Sequence, residues 1–105
     1  EITAALGRAG LPGRLIVDCS HANSGKDPAR QGDVALEVAA QVAGGNRGIV
    51  GVMLESFLEE GRQDVKPGAP LVYGKSITDA RMSWERTEPV LAALAEAART
   101  RRAAE

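Results

Sequence analysis

Three side chains able to ligate a metal, His21, Glu55 and Asp79, share one local setting, because each closes a short apolar run. Leu15, Ile16 and Val17 lead through Asp18, Cys19 and Ser20 to His21. Ile49 to Leu54 leads to Glu55, and the run that starts at Leu71 ends at Asp79. Apolar runs of this length, bounded by polar or turn-forming residues, predict strands buried on both faces of a parallel sheet. In parallel α/β folds the strand C-termini lie on one side, and ligands bind there. The three exits can therefore converge. One imidazole and two carboxylates make an N/O donor set suited to Mn²⁺, Fe²⁺, Co²⁺ or Zn²⁺ rather than to a soft metal.

Each candidate has a plainer alternative. A lone histidine commonly just bonds a neighbouring backbone group, Glu55 could pair with an arginine, and Asp79 could cap a turn or helix. Cys19, two residues before His21, is a formal fourth ligand but reads better as a small buried residue. Lys75 and Arg81, near the third exit, could hold an anionic substrate or simply be solvated. Ser24-Gly25-Lys26 lacks the spacing of a phosphate-binding P-loop, since Asp27 follows the lysine. Gly44-Gly45-Asn46-Arg47-Gly48 precedes a strand where a dinucleotide fingerprint follows one, so it reads as a helix stop.

The elements that must carry these residues follow in order. Residues 1–10 predict a short helix, ended by Gly10 and Pro12. Strand one leads to His21, and a polar loop over 23–28 leads to a helix from about Pro28. That helix carries an apolar stripe of Val34, Val38, Ala39 and Val42, with Gln31, Asp33, Glu37 and Gln41 mostly elsewhere. Strand two spans 48–55. Gly61, Pro67 and Gly68 interrupt 56–70, which predicts a turn or hairpin excursion, and strand three lies within 71–78. Residues 80–86 read as an irregular loop. Thr87 is placed to cap a last helix with a stripe of Leu91, Leu94, Ala95 and Ala98 and a basic end at Arg99, Arg101 and Arg102.

The chain has 105 residues, room for one small domain. Its 13 basic and 14 acidic residues give no electrostatic case for nucleic acid or membrane as a partner. No apolar run approaches the ~20 residues of a membrane span. With one cysteine no intrachain disulfide can form, which fits a cytoplasmic setting. The start at Glu1, inside a helical pattern, predicts a piece of a longer polypeptide. Three parallel strands leave open edges, whereas a closed (β/α)8 barrel takes about 250 residues. The expected fold class is thus α/β, a partial TIM barrel comprising its last three βα units, with 1–105 as the C-terminal portion of one catalytic domain.

Three longer motifs then carry a resemblance. Asp18-Cys19-Ser20-His21-Ala22-Asn23-Ser24, Ala43-Gly44-Gly45 with Gly51-Val52-Met53-Leu54-Glu55-Ser56, and Tyr73-Gly74-Lys75-Ser76-Ile77-Thr78-Asp79-Ala80 resemble the C-terminal part of class I 3-deoxy-D-arabino-heptulosonate 7-phosphate (DAHP) synthases. The likeness covers roughly residues 12–102. It implies a metal-dependent, aldol-like condensation of phosphoenolpyruvate with erythrose 4-phosphate, the entry to chorismate and the aromatic amino acids, by a homo-oligomeric complete enzyme. The family's metal-binding histidine, glutamate and aspartate match His21, Glu55 and Asp79. His21 would also lie close to phosphoenolpyruvate, and Asp79 could touch the sugar phosphate, which makes both catalytic candidates. The family's fourth ligand, an early-strand cysteine, and most of its phosphate-binding cations fall outside these residues, so the chain as given is expected to be inactive. Arg81 and Arg86 depart from the family pattern and bear on the packing of the last loop. The competing readings are another metal-dependent barrel aldolase or lyase, and a non-catalytic α/β binding module.

Overall fold

The computed structural model describes residues 2–104, so Glu1, the first residue of the expected opening helix, lies outside them. Helix α1 (Ile2–Arg8) precedes strand β1 (Leu15–Asp18). A single 3-10 turn (Ala22–Ser24) leads into helix α2 (Pro28–Ala43), and strands β2 (Ile49–Met53) and β3 (Ser56–Phe57) follow. A long excursion then reaches β4 (Met82–Ser83) and helix α3 (Trp84–Ala103).

Local chemistry explains α2 at both ends. Asp27 accepts a hydrogen bond from the Ala29 amide, Pro28 occupies the first turn where no intrahelical donor is needed, and the Gly44 amide closes on Ala40. The buried apolar residues of α2 meet both α3 and the sheet. Ala35, Val38, Ala39 and Val42 form a core with Cys19, Ile49, Met82, Val90 and Ala97. Strands β1 and β2 pair in parallel from Leu15 opposite Ile49 to Asp18 opposite Met53, the β1–α2–β2 unit expected from the sequence. Gly48 permits the entry to β2, because a Cβ there would come within 2.8 Å of Thr3 Cγ2 and 3.1 Å of the Gly13 carbonyl.

The third strand departs from expectation. Residues 71–78 form turns and a single bridge from Ser76 to Arg62, and the parallel partner of β3 is β4, beyond Asp79. Leu71, Val72 and Tyr73 are exposed, and the Val72 backbone is claimed by a side chain. Gln63 Oε1 accepts from the Val72 amide at 2.8 Å, while its Nε2 donates to the Val72 and Lys75 carbonyls. A segment whose ladder groups are already satisfied has no reason to join a sheet.

The expected loop over 80–86 is therefore strand and helix. Ser83, not Thr87, caps α3 by accepting from the Arg86 amide. Thr87 lies inside the helix, where its hydroxyl donates to the Ser83 carbonyl and shares a hydrogen bond with Ser56 Oγ, tying α3 to β3. The buried stripe of α3 is Thr87, Val90 and Ala97 with Leu94 packed beside it, whereas Leu91 and Ala95 are exposed, because contact with α2 selects that face. Gln31, expected on the polar side of α2, is buried.

Candidate metal centre

His21 enters the site on the last turn of chain after β1, and its orientation is set within that turn. Its Nδ1 lies 2.8 Å from Asp18 Oδ2 and 3.0 Å from Ser20 Oγ. Asp18 is itself held, since its Oδ1 accepts from the Ser20 amide at 2.8 Å and from the Ser20 hydroxyl at 2.7 Å. The turn closes beneath it. Ser24 Oγ, fully buried, donates to the Ser20 carbonyl, and the Lys26 amide donates to the His21 carbonyl. Gly25 and Lys26 both take positive φ, 62° and 64°, which swings the chain from the turn into α2.

With Nδ1 engaged, Nε2 points at the other two candidates. Glu55 Oε1 lies 3.5 Å away and Asp79 Oδ2 3.8 Å away. One ligand atom from each of the three lies within 4.8 Å of the others. Two bonds of about 2.1 Å at an open angle subtend separations like the two measured from Nε2. A nitrogen held in one tautomer by a carboxylate, facing two carboxylate oxygens, fits a divalent cation.

The electrostatics agree with that fit. The hydrogen bonds from His21 and Ser20 hold the Asp18 carboxyl well below the usual carboxylate range. The hydrogen bond to Asp18, and beyond it the charges of Asp18, Glu55 and Asp79, raise His21 above its ordinary value against an opposing contribution from burial.

Glu55 and Asp79 arrive by different routes. Glu55 sits in the two-residue gap between β2 and β3, close to the strand exit expected for it. Asp79 lies in an exposed bend before β4, not at the end of a strand and not as the cap of α3. Its bend is held by arginines. Arg62 Nε donates to the Thr78 carbonyl at 2.8 Å, and the Arg81 guanidinium donates to Ser76 Oγ and Thr78 Oγ1. The departure from the family pattern at Arg81 is thus knitted into the last loop, and Arg86 reaches out to Glu60.

A cleft of about 200 Å³ opens over the trio, lined also by Ser20, Lys26, Arg62 and Ala80. The cations at its rim are Lys26 and Arg62; Lys75 and Arg81, which the sequence left as either substrate-holding or solvated, are not among the lining residues. Neither rim cation was legible from a motif, because Lys26 lies in a broken P-loop pattern and Arg62 in a breaker-rich stretch. Cys19 is fully buried, its thiol near the Val17 carbonyl and pushed up by burial, and it is not among the converging ligand atoms. Two further residues serve the site. Asp18 could have been found from the Asp-x-x-His spacing, whereas Gln31, which bonds both backbone groups of Glu55, carried no local signal.

A family model described as the DAHP synthetase I family matches residues 2–92. The Phe-sensitive phospho-2-dehydro-3-deoxyheptonate aldolase of Escherichia coli K12 is 50% identical over 102 residues, covering 97% of this chain and 29% of that protein. The tyrosine-inhibited enzyme of Schizosaccharomyces pombe is 52% identical over 101 residues, 92% of this chain and 27% of that protein. The structure of a phospho-2-dehydro-3-deoxyheptonate aldolase from Francisella tularensis SCHU S4 superposes with a TM-score of 0.86 at 41% identity, over 93% of this chain and 28% of that one. The chain spans less than a third of the length of these three relatives.

Proposed function

Because the chain belongs to the DAHP synthetase I family, we propose that His21, Glu55 and Asp79 supply three metal ligands of a 3-deoxy-7-phosphoheptulonate synthase. The reaction is the condensation of phosphoenolpyruvate with D-erythrose 4-phosphate and one water, giving DAHP and phosphate, in the cytoplasm. In this reading residues 1–105 form the C-terminal βα units of a TIM-barrel catalytic domain. Parallel pairing of β1 with β2 and of β3 with β4 supports that placement. The observation that carries the functional reading is the meeting of three ligand atoms, from three separate segments, within 4.8 Å.

His21, Glu55 and Asp79 would hold a divalent cation, which would supply Lewis-acid polarisation of the aldehyde oxygen of the four-carbon sugar or activation of a water. The chain's own residues do the rest of what falls to this part of the site. Asp18 keeps the His21 Nε2 lone pair directed into the cleft. Lys26 and Arg62 place positive charge at a rim that must admit two phosphorylated, anionic substrates. Asp79, more exposed than Glu55, is the ligand with room to touch the sugar as well.

The test uses the full-length natural protein. Phosphate release from phosphoenolpyruvate should require erythrose 4-phosphate, stop on chelation and return with Mn²⁺, Fe²⁺, Co²⁺ or Zn²⁺. Glu55→Ala should abolish it at ordinary metal concentrations. Undiminished turnover in the chelated protein, or turnover with a different aldehyde only, overturns the proposal.

A further inference from the structure

Gln31 is 1% exposed, a polar side chain in the first turns of α2 with no solvent to satisfy it. Both ends of its carboxamide go to one residue. Oε1 accepts from the Glu55 amide at 2.8 Å, and Nε2 donates to the Glu55 carbonyl at 3.3 Å. The β1–β2 ladder has run out by this point, its last bond passing from the Cys19 amide to the Met53 carbonyl. The carboxamide therefore stands in for the peptide group that a neighbouring strand would have offered. The Met82 amide, also bonded to the Glu55 carbonyl, clamps it from the β4 side.

Fixing an amide and a carbonyl on either side of one Cα restrains both φ and ψ of that residue, and with them the direction of its Cα–Cβ bond. We infer that Gln31 is a positioning residue for the Glu55 carboxylate, acting through the Glu55 backbone to hold it within reach of the cation shared with His21 and Asp79. This inference rests on the metal-site reading above. It assigns to α2 a function besides core packing, since the helix sets one ligand while its buried apolar residues meet α3 and the sheet. Metal ligands tolerate only small displacements, on the order of 0.5 Å or 10–20°.

The experiment is Gln31→Met in the full-length natural protein, which fills the same space without either hydrogen bond. Mn²⁺ alone is titrated and followed by electron paramagnetic resonance. Val42→Ala, at the far end of α2, serves as a control that weakens the same helix without touching Glu55. Gln31→Met should bind Mn²⁺ about 10- to 100-fold more weakly, and the Glu55 amide should lose its protection from hydrogen exchange. Val42→Ala should lower the melting temperature and leave Mn²⁺ affinity within about twofold of the parent. Gln31→Asn keeps the amide but is one methylene short, and it gives the same weakening where the methionine variant does not fold. Equal Mn²⁺ affinity in parent and Gln31 variants overturns the inference while sparing the metal site, as does an equal loss in Val42→Ala. Failure of the parent itself to bind Mn²⁺ overturns both.

Discussion

His21 has each ring nitrogen committed to a different task, and that division makes its chemistry depend on pH. Nδ1 is tied to Asp18, and Nε2 faces Glu55 and Asp79. The same contacts that aim Nε2 at a cation also favour a proton on it, so proton and metal compete. The hydrogen bond to Asp18 raises the His21 pKa above 6.5, which places the onset of competition above that pH. Apparent Mn²⁺ affinity should fall about tenfold per unit as pH drops below the raised pKa, since one proton must leave. In the metal-free protein the sign reverses. Stability from the raised His21 is complete below its unfolded value and fades as pH rises through the folded one. Stability from the lowered Asp18 is present above 3.8 and fades as pH falls towards its folded value. Asp18→Asn separates orientation from charge. It should weaken Mn²⁺ binding about 10- to 100-fold at high pH, and it should shift the acid limb of the binding curve to lower pH. A variant curve parallel to that of the parent, with its midpoint unmoved, contradicts the assignment of Asp18.

At the scale of elements, the ends of β2 have separate supports. Its C-terminal end leads to Glu55 and is held by Gln31 and β4. Its N-terminal end is held by Arg101, near the end of α3, whose Nη1 donates to the Asn46 carbonyl at 2.9 Å and the Ile49 carbonyl at 3.0 Å. Hydrogen bonds from a charged donor are worth more than neutral ones, so Arg101→Met should cost about 1–3 kcal/mol of stability. Mn²⁺ affinity of the folded protein should stay unchanged, because the site lies at the other end of the strand. Denaturant titration and metal titration together check this, and a loss of affinity contradicts the separation. The same scale explains what sequence reasoning could reach. Strands β1 and β2 and helix α2 were legible because their apolar runs and caps are local. Strand β4 has two residues, too few for any periodicity, and the Leu71–Tyr73 run imitates a strand although Gln63 takes its hydrogen bonds. Gln31 could not be read as buried because polarity alone assigns it to the wet face of α2. His21, Glu55 and Asp79 come together despite the misplaced third strand, because the bend of Asp79 comes beside Glu55 when β4 pairs with β3.

The shape of the whole molecule bears on whether these supports suffice by themselves. The chain forms a slab of 56 × 31 × 16 Å with a radius of gyration of 16.6 Å. A compact domain of this length has a radius of about 13 Å. Its described strands form two separate two-stranded sheets, and such pairs are marginal without further cover. Ile16 and Val50, one on each strand of the larger sheet, are more than half exposed. These surfaces belong to a chain that superposes on 28% of the Francisella structure. A net charge of −1 offers little repulsion to keep such faces apart in solution. The 105-residue polypeptide expressed alone should therefore bind a hydrophobic dye, lack a cooperative near-ultraviolet melting transition and associate with rising concentration. The full-length natural protein should melt cooperatively under the same conditions. Dye fluorescence, circular dichroism and sedimentation measure the three properties. A sharp, concentration-independent melt of a monomeric 105-residue chain contradicts the expectation and favours a free-standing α/β module. Exposed sheet faces then need no other cover, and the trio becomes a site that folds without further protein around it.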